Sequence, residues 1–178
     1  MKTHQHSTKQ SGAVLFISLI ILLIMTLLGI TGMQTTILEE KMAGNSRNQM
    51  AAFQAAETGL RGAEQYLEAI VTSSDFDDTN PGLLSESTAE PDYLNSSTWV
   101  AASSVEYNSG LPMIQSEPRY TIKLVEQLAD SANAGLNIGG YGENLAGNET
   151  TIFKVSSRGT GGTDNARVTL QSYYGKRF

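Results

Sequence analysis

The side chains of this chain with the clearest capacity for chemistry are the oxygen-bearing ones in the segment DFDDTNPGLLSE. Five residues there fall at positions 1, 3, 5, 7 and 12 of a calcium-binding loop: Asp75, Asp77, Thr79, Pro81 through its backbone, and Glu86. Position 6, which requires glycine, is Asn80. Because surface loops rich in Ser, Asp and Pro often produce this spacing, we expect a solvated acidic loop and no cofactor.

Other chemistry is limited by composition. There are no cysteines, which excludes disulfides, thiolate nucleophiles and Cys-based zinc sites. The two histidines, His4 and His6, both lie in the N-terminal segment before the apolar run, and the rest of the chain has none. We therefore predict no imidazole catalysis and no enzyme activity. The Gly-rich stretch NIGGYGENLAGN lacks a following Lys-Ser or Lys-Thr and is interpreted as a loop. The formal net charge of −6 argues against a nucleic-acid partner.

The element that must position everything else is an apolar helix at the N-terminus. No charged residue lies between Lys9 and Glu39, and residues 13–33 are long enough to span a bilayer. Lys2 and Lys9 precede this run, whereas the first charges after it are acidic, so the positive-inside rule predicts a cytoplasmic N-terminus. A removed secretory signal is the alternative, but the run is long and TGMQTT is a poor cleavage site.

The helix is predicted to continue as an amphipathic segment over residues 34–71. Apolar or small residues recur there at spacings of three and four: Phe53, Ala56, Leu60, Ala63, Leu67 and Ile70. We expect this stripe to pack against the chain's own exported domain, residues 72–178.

The exported domain begins with a polar loop and ends in strands. Residues 72–98 carry turn signals, whereas RYTIKLVEQL, TTIFKVSSRG and ARVTLQSYY alternate apolar and polar residues. Within RYTIKLVEQL the inward-facing residues are predicted to be Tyr120, Ile122, Leu124 and Leu128. GTGGTDN fits a hairpin loop in which Gly159, Gly161 and Gly162 tolerate positive φ. The predicted fold class is α+β, with one long N-terminal helix packed against a small C-terminal antiparallel sheet.

A leader ending in Gly12, an apolar helix, its amphipathic continuation and a C-terminal sheet together resemble a type IV prepilin. More narrowly, SGAVLFISLIILLIMTLLGITGMQTTILEEKMAGNSRNQMAAFQAAETGLRGAE resembles the N-terminal region of the PilX family of minor pilins. PRYTIKL and SSRGTGGTDNARVTLQSYY resemble that family's C-terminal segments. This resemblance implies a pilin fold and a structural role in type IV pili.

The resemblance also implies a processing site and partners. Residues 1–12 would be a leader cut after Gly12 by the prepilin peptidase, with N-methylation of the new terminal residue, Ala13. The partners would be other minor pilins, the major pilin and the inner-membrane assembly platform, with the membrane holding the chain before assembly. The implied destination is the extracellular pilus, with roles in adhesion and twitching motility.

One position departs from the pilin pattern. Most pilins carry a glutamate four residues after the cleavage point, where this chain has Ile17. A carboxylate there is costly in a membrane unless it pairs with the terminal amine of a neighbouring subunit. We therefore expect a subunit that primes assembly and occupies the filament tip. At the tip there is no preceding subunit whose terminal amine needs a carboxylate partner.

Two alternatives stay open at the level of the sequence. A minor pseudopilin of a type II secretion system shares the leader, the helix and, at its tip, the missing glutamate, but that subunit usually has a larger exported domain. A membrane-tethered periplasmic binding protein would keep the anchor and stay out of surface filaments.

Overall fold

A computed structural model describes residues 12–128 and 150–178 of the chain. Its elements are helix α1 (Ala13–Ala69), strands β1 (Leu83–Leu84) and β2 (Val105–Glu106), and the longer strands β3 (Arg119–Leu128), β4 (Thr150–Thr160) and β5 (Arg167–Arg177). A 3₁₀ turn, Ser96–Trp99, precedes β2. This arrangement confirms the predicted α+β, pilin-like fold class. Most of the predicted leader and the whole Gly-rich stretch at 137–148 lie outside the described residues.

The chain forms two compact units, with the boundary inside α1 between Gly44 and Asn45. In the first unit, every residue from Gly12 to Gly44 is exposed, including the apolar ones. The second unit, Asn45–Phe178, contains the C-terminal part of α1 and all the strands. The helix ends at Ala69, two residues before the end expected from the sequence.

The strands form one sheet in the order β1-β3-β4-β5, with β2 also paired to β3. The three long strands are antiparallel as predicted, whereas β1 runs parallel to β3.

The prediction that Leu128 faces inward was wrong, because this side chain is 43% exposed. A β-bulge between Leu124 and Glu126 shifts the register, so the alternation that buries Leu124 does not continue to Leu128.

The helix packs on the sheet through its smallest side chains. The buried residues of α1 are Ala52, Ala55, Ala56, Gly59, Gly62, Ala63 and Leu67. The predicted stripe was therefore partly wrong, because Phe53 is 47% exposed. A large ring on the sheet-facing side would hold the two backbones apart, and the close approach of helix and sheet selects Ala and Gly instead.

Glycines on the sheet meet this helix face. A Cβ on Gly159 would collide with the backbone of Ala52 and Ala56, and one on Gly161 would collide with Asn48. The predicted hairpin between β4 and β5 is confirmed, but none of Gly159, Gly161 and Gly162 has the positive φ that glycine would tolerate there. At least at Gly159 and Gly161, glycine is required by the closeness of the helix rather than by the turn.

The core lies beneath the C-terminal end of α1. Leu67, Ile122, Phe153 and Val155 are fully buried and form one cluster with Phe76, whose ring centroid is 4.8 Å from that of Phe153. Phe76 comes from the predicted polar loop. That loop is consequently anchored in the core rather than free of the domain.

A basic side chain from β5 fixes the C-terminal end of α1. Lys176 on β5 donates to the carbonyl oxygens of Leu67, Glu68 and Ile70, where α1 ends. A helix C-terminus leaves carbonyls without helical partners and carries a partial negative charge, so an ammonium group there stabilises the end of the helix. No basic residue lies in the last turn of α1 itself, and β5 supplies the missing cation.

Candidate processing and assembly surface

The predicted processing site lies at the start of the helix. Gly12 is exposed, and α1 begins at the next residue, Ala13. The carbonyl oxygen of Gly12 accepts a hydrogen bond from the backbone N–H of Phe16 at 3.4 Å. No atom lies within 4 Å of the position that a Cβ on Gly12 would take, so nothing described crowds this residue. Cleavage after Gly12 would leave the helix beginning at the new N-terminus.

The candidate assembly surface consists of the apolar side chains of residues 13–44. The apolar part of α1 is not buried within the molecule, and the helix is long and apolar enough to cross a membrane. Leu22, for example, is 66% exposed, and the least exposed of its large apolar neighbours, Ile20, is still 40% exposed. Contiguous apolar surface of this extent indicates contact with lipid or with other helices.

Polar side chains within this surface satisfy their own hydrogen bonds. Ser18 donates to the carbonyl of Leu15 at 2.9 Å, and Thr26 donates to that of Leu23 at 2.8 Å. The same pattern, with a hydroxyl bonded three or four residues back, recurs at Thr31, Thr35 and Thr36. Because each hydroxyl is bonded within the helix, it adds little cost to burial in lipid or in a helix bundle.

Ile17, the position of the missing glutamate, lies one turn after Ala13 on this surface. Its side chain is 55% exposed and apolar, like its neighbours. It offers a neighbouring subunit no acceptor for an ammonium group. The first two turns of α1 therefore contain no ionisable side chain.

The residues of the predicted calcium loop follow α1 in the second unit. Asp77 accepts hydrogen bonds from the backbone N–H and the hydroxyl of Thr79, at 3.1 and 2.6 Å, and these bonds lower the pKa of its carboxyl. Asp75 faces Tyr66 instead, with its Oδ2 3.4 Å from the phenol oxygen. Within residues 12–128 and 150–178 no three acidic or histidine side chains form a group suited to a metal ion.

Sequence reasoning missed the carboxylate that organises this loop. Asp78, at φ +67°, accepts from the N–H and hydroxyl of Ser85 at 2.9 and 2.6 Å and from Thr88 at 2.7 Å. These bonds lower the pKa of Asp78. The left-handed backbone is tolerated by Asp and Asn, so an Asp followed by hydroxyl residues was the available signal.

Comparison with known families now gives the class of the protein. The PilX N-terminal family matches residues 11–61, and the family described as type IV pilus assembly protein PilX C-term matches residues 77–176. No curated protein and no solved structure gives a significant match to the chain.

An exposed apolar helix joined to a small sheet defines a pilin-like subunit. Together the two family matches cover most of the chain, including the helix start and all three long strands. The chain belongs to the PilX family of type IV pilus assembly proteins. These are structural minor pilins, which act with other pilins in the pilus assembly system.

Proposed function

We propose that this chain is a minor pilin that primes assembly of a type IV pilus and sits at its tip. The observation that supports this most strongly is the exposed apolar half of α1, which the molecule itself does not cover. Such a surface is stable first in lipid and then in a bundle of equivalent helices. Assembly is thus the transfer of one helix between two apolar environments, with no chemical turnover.

Processing is proposed to precede assembly. The chain would insert in the inner membrane with residues 1–12 in the cytoplasm, and the prepilin peptidase would cut after Gly12 and methylate Ala13. The support is the exposed Gly12 at the start of the helix and the family match that includes it. Residues 13–33 would span the membrane, and residues 34–71 would continue to the exported domain, 72–178.

The tip position is proposed from Ile17. An interior subunit gains when its carboxylate pairs with the terminal amine of a neighbour, because an unpaired amine in an apolar bundle is costly. A subunit with Ile17 has no carboxylate for that pairing. It is therefore suited to the end of the filament, where no neighbouring amine requires one. It would contact other minor pilins, the major pilin and the assembly platform, and would support adhesion and twitching motility from the tip.

The test is the location of the subunit on pili. Wild-type and Ile17→Glu chains would be imaged by immunogold labelling of intact pili, with an antibody raised against the exported domain, residues 72–178. We expect wild-type label at filament ends and Ile17→Glu label along shafts as well. Even distribution of wild-type label would contradict the tip position, and Ile17→Val is the matched apolar control.

The two alternatives make different predictions for sheared cells. A membrane-tethered binding protein would stay with the cell membranes, whereas a pilus subunit is expected in the sheared filament fraction. A type II pseudopilin would be needed for secretion of a reporter enzyme and dispensable for pili. Deletion of the chain's gene followed by both assays separates the three functions.

Calcium is expected to have no role. Asp77 is engaged by Thr79, and Asp78 by Ser85 and Thr88, so these carboxylates have partners already. Addition of calcium to the chain in detergent should leave its unfolding temperature unchanged. A saturable rise in that temperature, absent in Asp75→Asn, would favour the calcium loop instead.

A further inference from the structure

The face of the sheet opposite α1 carries four basic side chains in two directly opposed pairs. Arg119 on β3 lies opposite Arg158 on β4, and Lys123 lies opposite Lys154. The alternate residues, such as Ser157 opposite Tyr120, point to the helix side. Like charges directly across two strands are destabilising, so each of these cations needs a compensating partner.

Three of the four cations have such a partner in the segment 85–106. Lys123 donates to the carbonyl oxygens of Ser85 at 3.0 Å, Glu86 at 3.2 Å and Thr88. Lys154 forms an ion pair with Glu90, which raises the pKa of the lysine. Both interactions hold the segment that follows β1 against the sheet.

Arg119 is satisfied in the same way. Its guanidinium donates to the hydroxyl and the carbonyl oxygen of Ser104, at 2.8 and 2.9 Å, and pairs with the Glu106 carboxylate. These three interactions occupy the N–H groups of Arg119 that face the segment 104–106.

Arg158 is the exception. Its guanidinium lies over the Trp99 ring, 5.9 Å from the ring centroid, and it donates no hydrogen bond to any residue that the structure describes. Burial and the nearby Arg167 both lower the pKa of Arg158, and only Asp164 opposes them. Arg167 lies opposite Thr160, two residues along β4 from Arg158, and therefore on the same face. Two neighbouring guanidiniums that donate no hydrogen bond within the described residues can together bind an anion.

These arginines line a cleft of about 130 Å³, which is the size of one small functional group rather than of an extended polymer. Its lining includes Trp99, Arg119, Arg158, Arg167, Glu117 and Asp164. Arg119 is already paired with Glu106, so Arg158 and Arg167 are the two cations of the cleft whose donors a single carboxylate can accept from. A polyphosphate or a nucleic acid would be repelled by the two carboxylates and by the acidic surface as a whole.

Most of the neutral hydrogen-bonding groups that an acidic sugar would need in this cleft already have partners. The indole N–H of Trp99 donates to the carbonyl of Tyr93 at 2.9 Å, and the ring is 7% exposed. The hydroxyls of Ser116 and Thr160 bond to each other at 2.7 Å. What remains is the planar fork of Arg158 with its neighbour Arg167, which matches the geometry of a carboxylate.

We propose that the cleft of Arg158, Arg167 and Trp99 receives one glutamate or aspartate side chain from a neighbouring pilin subunit. The partner is chosen by its chemistry, a single carboxylate on a protein surface. This proposal deepens the assembly role and rests on it, since a neighbouring subunit must be present. The contact would fix the rotation of this exported domain against the next one.

The test compares Arg158→Gln/Arg167→Gln with the wild type in cells. Arg47→Gln/Arg61→Gln is the matched control, because it removes the same two charges from exposed positions of α1 outside the cleft. We expect the cleft variant to accumulate and be processed normally, while its recovery in sheared pili falls about tenfold. Unchanged recovery, or an equal loss in the control, would overturn the proposal. A wild-type chain absent from sheared pili would instead contradict the assembly role itself.

A direct binding measurement separates the protein partner from other anions. Acetyl-glutamate amide and its matched acetyl-glutamine amide would be titrated into the mature chain in detergent at constant ionic strength, with the Trp99 indole N–H followed by NMR. We expect a saturable shift with the glutamate probe only, lost in Arg158→Gln/Arg167→Gln. Equal shifts with both probes, tighter binding of glucuronate, or tighter binding of inorganic phosphate would each overturn the assignment to a protein carboxylate.

Discussion

The two halves of helix α1 have the same backbone conformation and opposite surroundings. Residues 13–44 carry large apolar side chains that are all exposed, whereas the half beyond Asn45 buries Ala and Gly against the sheet. Because its side chains are large and apolar, the transfer of the first half from water to an apolar medium has a strongly favourable free energy. Small ones let the second half approach one fixed partner closely. The side chains of the first half therefore suit an apolar environment, and those of the second half suit one closely packed partner.

The largest effect is expected from a charge in the first half. Leu22→Arg should make membrane insertion less favourable by about 3–4 kcal/mol, since Arg is disfavoured and Leu favoured at the centre of a spanning helix. The measurement is the fraction of chain that resists alkaline extraction from membranes. Leu94→Arg is the control, because Leu94 is exposed in the second unit and should tolerate the charge. Full retention of Leu22→Arg in membranes would remove the lipid-facing role of this half.

The next effect tests the fit of the second half. Gly159→Val should destabilise the folded domain by about 3 kcal/mol, because its side chain would overlap the backbone of Ala52 and Ala56. Urea unfolding of the mature chain in detergent, followed by Trp99 fluorescence, measures the change. Gly175→Val is the matched control, since the nearest atom to a Cβ there is the Thr150 methyl at 3.9 Å. Equal stability of the two variants would argue that the helix does not pack closely on β4.

A smaller effect tests how the second half ends. Lys176→Met keeps the alkyl stem but removes the ammonium group from the carbonyls of Leu67, Glu68 and Ile70. We expect a loss of about 1.5–3 kcal/mol in the free energy of unfolding, the range for hydrogen bonds to a charged group. Amide exchange should speed up most at the end of α1. The control, Lys41→Met in the exposed half, should change neither quantity.

The smallest effect is a pH dependence in the loop that follows the helix. Hydrogen bonds from Ser85 and Thr88 lower the pKa of Asp78 in the folded chain, so its contribution to stability is present above the ordinary pKa and is lost as the pH falls through the folded value. Asp78→Asn preserves the left-handed backbone at this position. The variant should therefore be less stable than the wild type at neutral pH, and the difference should shrink below about pH 4. A difference independent of pH would assign the effect to packing instead of charge.

The apolar half of α1 and the three long strands could be predicted because their signals are local. A charge-free apolar run specifies a membrane-compatible helix, and alternation over RYTIKLVEQL specifies a strand with the observed bounds. The processing site was predicted from family resemblance and stays a prediction. The face of the second half could not be predicted well, because Phe53 and Ala52 both fit a helical stripe, and only the proximity of Gly159 selects the small residue.

The arginine cleft lay beyond sequence reasoning for a related reason. Arg119, Arg158 and Arg167 are distant in the chain and look like ordinary solvated strand residues. Only the register of β3, β4 and β5 brings them to one face, and only the contacts of the loop reveal which arginine lacks a partner.

The amino-acid sequence determined the environment of this protein: hydrophobicity and helix length are sums over neighbouring residues, and they specify an apolar rod joined to an alternating sheet. The tertiary structure decided which helix face is buried, which glycines are required and which cations are paired. Those properties depend on distances between residues far apart in the chain, set by strand register and close packing, and no local pattern encodes them.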